Sequence, residues 1–342
     1  MNRAYVYKGG PIDVRRFFRI RNLTRRVKRV QQKVAIQLRS EFRVLEMPTA
    51  PQIEAGPQCT QPVTCEFFGK CNPPIPDDHI LRLPRIHATT VGRLTELGIR
   101  SIHDIPEGYP LSDRLRRGCT SVQTGTPWFG PSIRGELKAL KYPLYFADFE
   151  TVYPAIPRFA GMRPYDHIPF QWSVHVQRQP GAAPEQFEFL AGDASDPRPV
   201  FIQTLCDALG DRGSIVVYNQ QFESQGLSDL ASWLPEFSGR INKIQRRLWA
   251  LLPVIRDHVY HPKFWGSYSL KSVLPALVPD MGYDGMEVAD GQAAGLARES
   301  LICGICGEAE REQKRKALLD CCEQDTLGMV RLLEVIKRNA ES

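Results

Sequence analysis

The sequence has little that would suit a membrane helix or a secretory signal, and a soluble protein is expected. No apolar run approaches the ~18 residues of a bilayer span, and the opening MNRAYVYKGG has neither an apolar core nor a small-residue cleavage site. Nine cysteines, an odd number, fit reduced thiols or metal ligands in a cytoplasmic protein better than a disulfide framework. Internal repeats and low-complexity tracts are also missing, which removes solenoid architectures from consideration. Acidic residues are scarce at one end: in positions 1–45 only Asp13 and Glu41 stand against thirteen Lys and Arg.

What is present is ordinary globular composition, 42% apolar and 24% charged over 342 residues, enough for two soluble domains that each bury a core. Much of the basic excess falls in LTRRVKRVQQKVAIQLRSEFRVLE. There Thr24 is the expected N-cap, and Val27, Val30, Val34, Leu38, Phe42 and Leu45 recur at helical spacing. Arg25, Arg26, Lys28 and Arg29 then share a basic back. Two readings stand for it: a solvated face, or a surface that follows nucleic-acid phosphates through counterion release.

Pro-rich NPPIPDD (72–78) and TPWFGPS (126–132) punctuate the first half, with a short helix stopped by Gly98 between them. From Leu144 onward strands and helices alternate. The expected strands are LYFADFET, FQWSVHVQ, QFEFLA and GSIVVYN; helices are expected from near Pro199, Gln221, Asn242 and Leu270, with a long one from Ala309 to Asn339.

One strand carries an unusual load. In LYFADFETVYP, successive side chains point to opposite faces, so Asp148 and Glu150 share one. Adjacent carboxylates resist burial unless a positive group neutralises them, and Mg²⁺ takes such oxygen ligands. In VVYNQQFE, Asn219 is placed to cap a helix with Glu223 in its first turn, where favourable dipole interaction is the simpler reading. On the last helix Leu318, Cys322, Asp325, Met329, Leu332 and Ile336 align at spacings of three or four, so Asp325 falls inside an apolar stripe.

Asp-x-Glu on a first strand, an Asn-x-x-x-acid after a later one and an Asp on the last helix resemble the DEDD 3′-to-5′ exonucleases of the RNase H-like superfamily. The resemblance implies an α/β fold, an RNase H-like mixed sheet flanked by helices, with a smaller, mostly helical N-terminal region. It implies that Asp148, Glu150, Glu223 and Asp325 hold two Mg²⁺ or Mn²⁺ ions for phosphodiester hydrolysis at the single-stranded 3′ end of DNA or RNA. Asn219, Lys271 and the basic residues of positions 15–39 would contact the nucleic acid. The group places its general base as Tyr four or His five residues before the last Asp. Here Cys321 and Asp320 stand there, which leaves His258 and His261 as candidate bases and a non-catalytic nucleic-acid-binding module of the same fold as the alternative. Phe222, Phe264 and Trp265 are candidates to stack bases, although aromatics that flank helices more often belong to the core.

Residues 143–342, and GSYSLKSVLPALVP most of all, resemble the bacterial domain-of-unknown-function family 2779, in which this domain follows a RecB-like nuclease. Residues 1–125 resemble the tail of that nuclease. Cys59, Cys65 and Cys71 then match three ligands of a 4Fe–4S cluster whose fourth ligand would lie upstream, so the cluster is incomplete in this chain unless Cys119 or a separately encoded nuclease half supplies it. CGIC, with Cys303 and Cys306, followed by Cys321 and Cys322 also draws a zinc site, but adjacent helical residues point about 100° apart.

Overall fold

The computed structural model describes residues 1–51, 63, 65–71, 75–288, 291–304 and 306–341. The chain divides into two compact units, Met1–Tyr5 with Gly10–Pro76 and Val6–Gly9 with Asp77–Ser342.

The first unit contains α1 (Val14–Phe17), α2 (Thr24–Leu45) and α3 (Phe68–Cys71). Asp13 caps α1, its carboxylate accepting from the N–H groups of Arg15 and Arg16. Thr24 is not the cap of α2 but its first helical residue, and Asn22 Oδ1 accepts the Thr24 N–H at 2.9 Å, doing the work expected of a threonine cap. The apolar stripe of α2 is present, yet no residue of this helix is buried.

The second unit opens with α4 (Ala88–Glu96) and α5 (Asp113–Thr124), packed over Ile80, Leu83, Leu94, Ile102 and Cys119. Gly98 follows α4 at φ +76°, the left-handed backbone that ends a helix at little cost for glycine. β1 (Trp128–Phe129) and α6 (Ile133–Leu137) lead into β2 (Leu144–Val152), β3 (Ile168–Gln177) and β4 (Glu185–Leu190). Next come α7 (Arg198–Leu209), β5 (Ser214–Val217), α8 (Gln220–Trp233) and α9 (Ser238–Gln245). The chain ends with β6 (Leu248–Ala250), α10 (Leu251–His258), β7 (Val259–Tyr260), α11 (Leu270–Leu277), α12 (Gly291–Ile302) and α13 (Glu308–Glu341). Asn242 therefore lies inside a helix that begins four residues earlier, at Ser238.

The main sheet has the order β4-β3-β2-β5-β6 and is mixed: β2 runs antiparallel to β3 and parallel to β5. Helices cover both faces, the α/β architecture expected from the sequence. On one face Tyr145, Ala147 and Phe149 of β2 pack with residues of α7, α8 and α9. On the other, Leu144 and Phe146 pack with Met329, Val330 and Leu333 of α13. Entry into β5 depends on Gly213, where a Cβ would lie 2.0 Å from the Pro143 carbonyl oxygen. The Arg247 guanidinium then binds the carbonyls of Leu209, Gly210, Arg212 and Gly213, locking the turn before β5.

Candidate functional site

The alternation of β2 decides which acids meet. Asp148 and Glu150 follow Phe146 on the α13 face, opposite Ser173 and Gln171 of β3. A register shift between Glu150 and Thr151 bulges the β2–β3 pairing just after the second acid, a feature common beside functional sites, before it resumes at Thr151 and Val152.

α13 is set against β3 by polar contacts as well as by packing. Gln171 Nε2 donates to the Leu318 carbonyl at 2.6 Å, and the Thr326 hydroxyl lies 2.9 Å from Ser173 Oγ and 2.8 Å from His175 Nδ1. These bonds fix the rotation of the helix one residue from Asp325. In consequence Asp148, Glu150 and Asp325 each offer an oxygen within 4.8 Å of the other two, a triad that could hold a metal ion.

Glu223 enters from the next parallel strand. β5 ends at Val217, Asn219 is the N-cap residue of α8, and Glu223 sits in the first turn with only 3% of its surface exposed. The Asn219 side chain makes no capping bond; instead the backbone N–H groups of Asn219 and Glu223 favour the Glu223 carboxylate. Burial outweighs them and pushes its pKa up to about 7. Its Oε2 is buried without a hydrogen-bond partner.

Together these acids form a strained electrostatic unit. Burial first, then the charges of Asp325, Glu150 and Glu223, hold the Asp148 carboxyl well above the usual carboxylate range. Asp325 is raised by burial, partly offset by the Tyr283 hydroxyl and the Lys271 ammonium. Among the described residues the Lys271 ammonium offsets Asp325, and an oxygen-only donor set of this kind suits a hard divalent ion. Glu223 stands outside the ligand-spaced triad, though its charge reaches Asp148.

One residue here, Tyr283, had no place in the sequence reading, and Cys322 had one only on the apolar stripe and in the drawn zinc site. Tyr283, on the segment between α11 and α12, donates to Asp325 Oδ1 at 2.5 Å. Cys322 places its sulfur 3.8 Å from Asp148 Oδ2. Lys271, the second residue of α11, has its ammonium 5.4 Å from the Tyr283 ring.

The candidate bases make contacts of other kinds. Burial, then the charges of Asp325 and Glu150, push the Cys321 thiol up to about 12, so it stays neutral near pH 7. Asp320 pairs with Lys316 at 2.7 Å. His258 Nε2 lies 3.9 Å from Glu136, and His261 Nδ1 accepts the Lys263 N–H at 3.1 Å.

A row of rings leads away from the end of β2. Tyr153 lies 5.4 Å from His167, His167 6.0 Å from Phe222, and Phe222 6.0 Å from buried Phe149. Tyr153 is 59% and Phe222 39% exposed. A groove of about 540 Å³, lined by Tyr153, Arg158 and Leu296 among others, opens next to Glu150. Gly291 lines it where a Cβ would come within 3.3 Å of Glu150 Oε2. Phe264, by contrast, is fully buried among Tyr260 and Tyr268, so it is a core ring and does not stack bases. Trp265 is exposed with Arg82 over its face at 5.7 Å.

Arg25, Arg26, Lys28 and Arg29 are exposed on α2, in the first unit. Of the three regularly spaced cysteines, Cys59 lies outside the described residues, Cys65 is exposed and Cys71 closes α3. Cys303 is exposed while Cys321 and Cys322 are buried. Among the described residues only the triad of Asp148, Glu150 and Asp325 has metal-ligand spacing, which leaves the drawn zinc site without support. Among them, too, no helix is long and apolar enough to cross a membrane.

No solved structure matches the chain. A curated relative, the "Uncharacterized protein MG366 homolog" of Mycoplasma pneumoniae, is 24% identical over 227 residues, 61% of this chain. The aligned part spans only 34% of that protein's length. Residues 145–269, which carry Asp148, Glu150 and Glu223 but not Asp325, match the family described as Domain of unknown function (DUF2779), in support of the family resemblance.

Proposed function

We propose that the sheet unit is a divalent-cation-dependent nuclease that removes nucleotides from the unpaired 3′ end of DNA or RNA. The observation that carries this reading is the triad of Asp148, Glu150 and Asp325 from β2 and α13, with Glu223 of α8 near enough for its charge to raise Asp148 and keeping a buried oxygen without a partner. Mg²⁺ or Mn²⁺ bound there supplies Lewis-acid charge against the phosphate oxygens. Asp148, Glu150 and Asp325 hold the cation, and Glu223 completes the donor set. Tyr153, His167 and Phe222 offer π-faces to successive unpaired bases, a sequence-tolerant contact worth about 1–3 kcal/mol per base. Lys271 and Asn219, beside the acids, and Arg25, Arg26, Lys28 and Arg29 on α2 contribute contacts to the phosphate backbone.

The neutral Cys321 thiol favours a second reading, a nucleic-acid-binding module of the same fold with little hydrolysis. End-labelled single strands incubated with Mn²⁺ separate the two. The nuclease reading expects stepwise shortening from the 3′ end and a fall of about 10³-fold or more in Asp148→Ala, the scale of losing a principal transition-state contact. Strand binding with equal, trace cleavage in both proteins leaves only the binding module.

A further inference from the structure

Asp325 differs from the other acids in how it is held. Its helix supplies it with no donor: the residue one turn earlier is Cys321, buried and carrying a weak thiol in place of a hydroxyl. The donor comes from outside. Tyr283 donates its O–H to Asp325 Oδ1 at 2.5 Å, and two contacts hold Tyr283 there. Gln324 Nε2, adjacent to Asp325, donates to the Gly282 carbonyl at 2.9 Å and pins the tyrosine's backbone to α13. The Lys271 ammonium, 5.4 Å from the ring centroid, fixes the ring from the α11 side and also attracts Asp325.

We propose that Tyr283 is the positioning residue of the acid site, setting the orientation in which Asp325 joins Asp148 and Glu150. This rests on the cation reading of that site. A carboxylate on a long helix can rotate about its own side-chain bonds; a short hydrogen bond to one oxygen removes that freedom. Outer-shell donors of this kind typically change metal affinity by about 10–100-fold. The hydroxyl thus reaches Asp325 from the α11–α12 connection, and Cys321 is free to serve the core between β2, α12 and α13.

The test is Mn²⁺ affinity of the full chain, read from the EPR signal of free Mn²⁺ and from the metal-induced rise in Tm, with no substrate present. Tyr283→Phe, which keeps the ring, should weaken Mn²⁺ binding by about 10–100-fold. The same change in an Asp325→Asn background should weaken it no further, because the hydroxyl acts through that carboxylate. Unchanged affinity in Tyr283→Phe, or an equal loss in the Asp325→Asn background, overturns the assignment while the wild type still binds Mn²⁺. A wild type that takes up no Mn²⁺, indistinguishable from Asp148→Ala, overturns the cation reading and this inference together.

Discussion

On one face of the sheet β2 and β3 present Tyr145, Ala147, Phe149, Trp172, Val174 and Val176, all buried against α7, α8 and α9. On the other, the same two strands present Asp148, Glu150, Gln171, Ser173 and His175 toward α13. The first face gains stability from area removed from water, without regard to direction. The second gives some of that stability up: it collects acids that repel one another and ties α13 down with directional bonds. The difference teaches that position, more than adhesion, is what the α13 face supplies.

Substitutions can break that contrast. The largest expected effect is on the apolar face, where Phe149→Ala should cost about 3–5 kcal/mol, read as a fall in the urea midpoint at constant m. On the α13 face the pH response should show next. Burial lowers the His175 pKa from 6.5 to about 4. Between those values the unfolded chain takes up a proton that the folded one refuses, so the His175 contribution is full above about pH 6.5 and falls toward pH 4, while the raised Glu223 carboxyl works in the opposite sense; the difference between wild type and His175→Gln isolates the first. The bound is about 3 kcal/mol, nearer 2 after allowing for residual screening. Imidazole NMR shifts for His175 that titrate near 6.5 would contradict this. Asp148→Asn comes third and has the opposite sign: relieved of mutual repulsion, the metal-free protein should gain about 1–2 kcal/mol in the same urea measurement. Smallest is Thr326→Val, which removes the hydroxyl shared by Ser173 and His175 and should cost about 1 kcal/mol.

Much of this arrangement was legible in the sequence because two periodicities are simple. Period two placed Asp148 and Glu150 together, and a 3.6-residue repeat placed Asp325 on the buried stripe of a helix. Tyr283 escaped because it lies on a segment with no period, and only the tertiary bond from Gln324 to Gly282 brings it to α13. For Phe264 the sequence leaves core and base stacking both open for a related reason: a ring in a turn carries no sign of which side faces water, and here Tyr260 and Tyr268 enclose it. α12 went unread for want of a clear start signal, since it opens on Gly291, a residue whose missing side chain leaves room beside Glu150.

α13 is one unbroken helix of 34 residues that carries both the Leu318 carbonyl gripped by β3 and, seven residues on, Asp325. Adding a single residue between them would swing the carboxylate about 100° around the axis and carry it 1.5 Å along. Chain length is therefore forgiving at hairpin tips such as residues 178–184, whereas between 318 and 325 the count of residues is itself part of the chemistry.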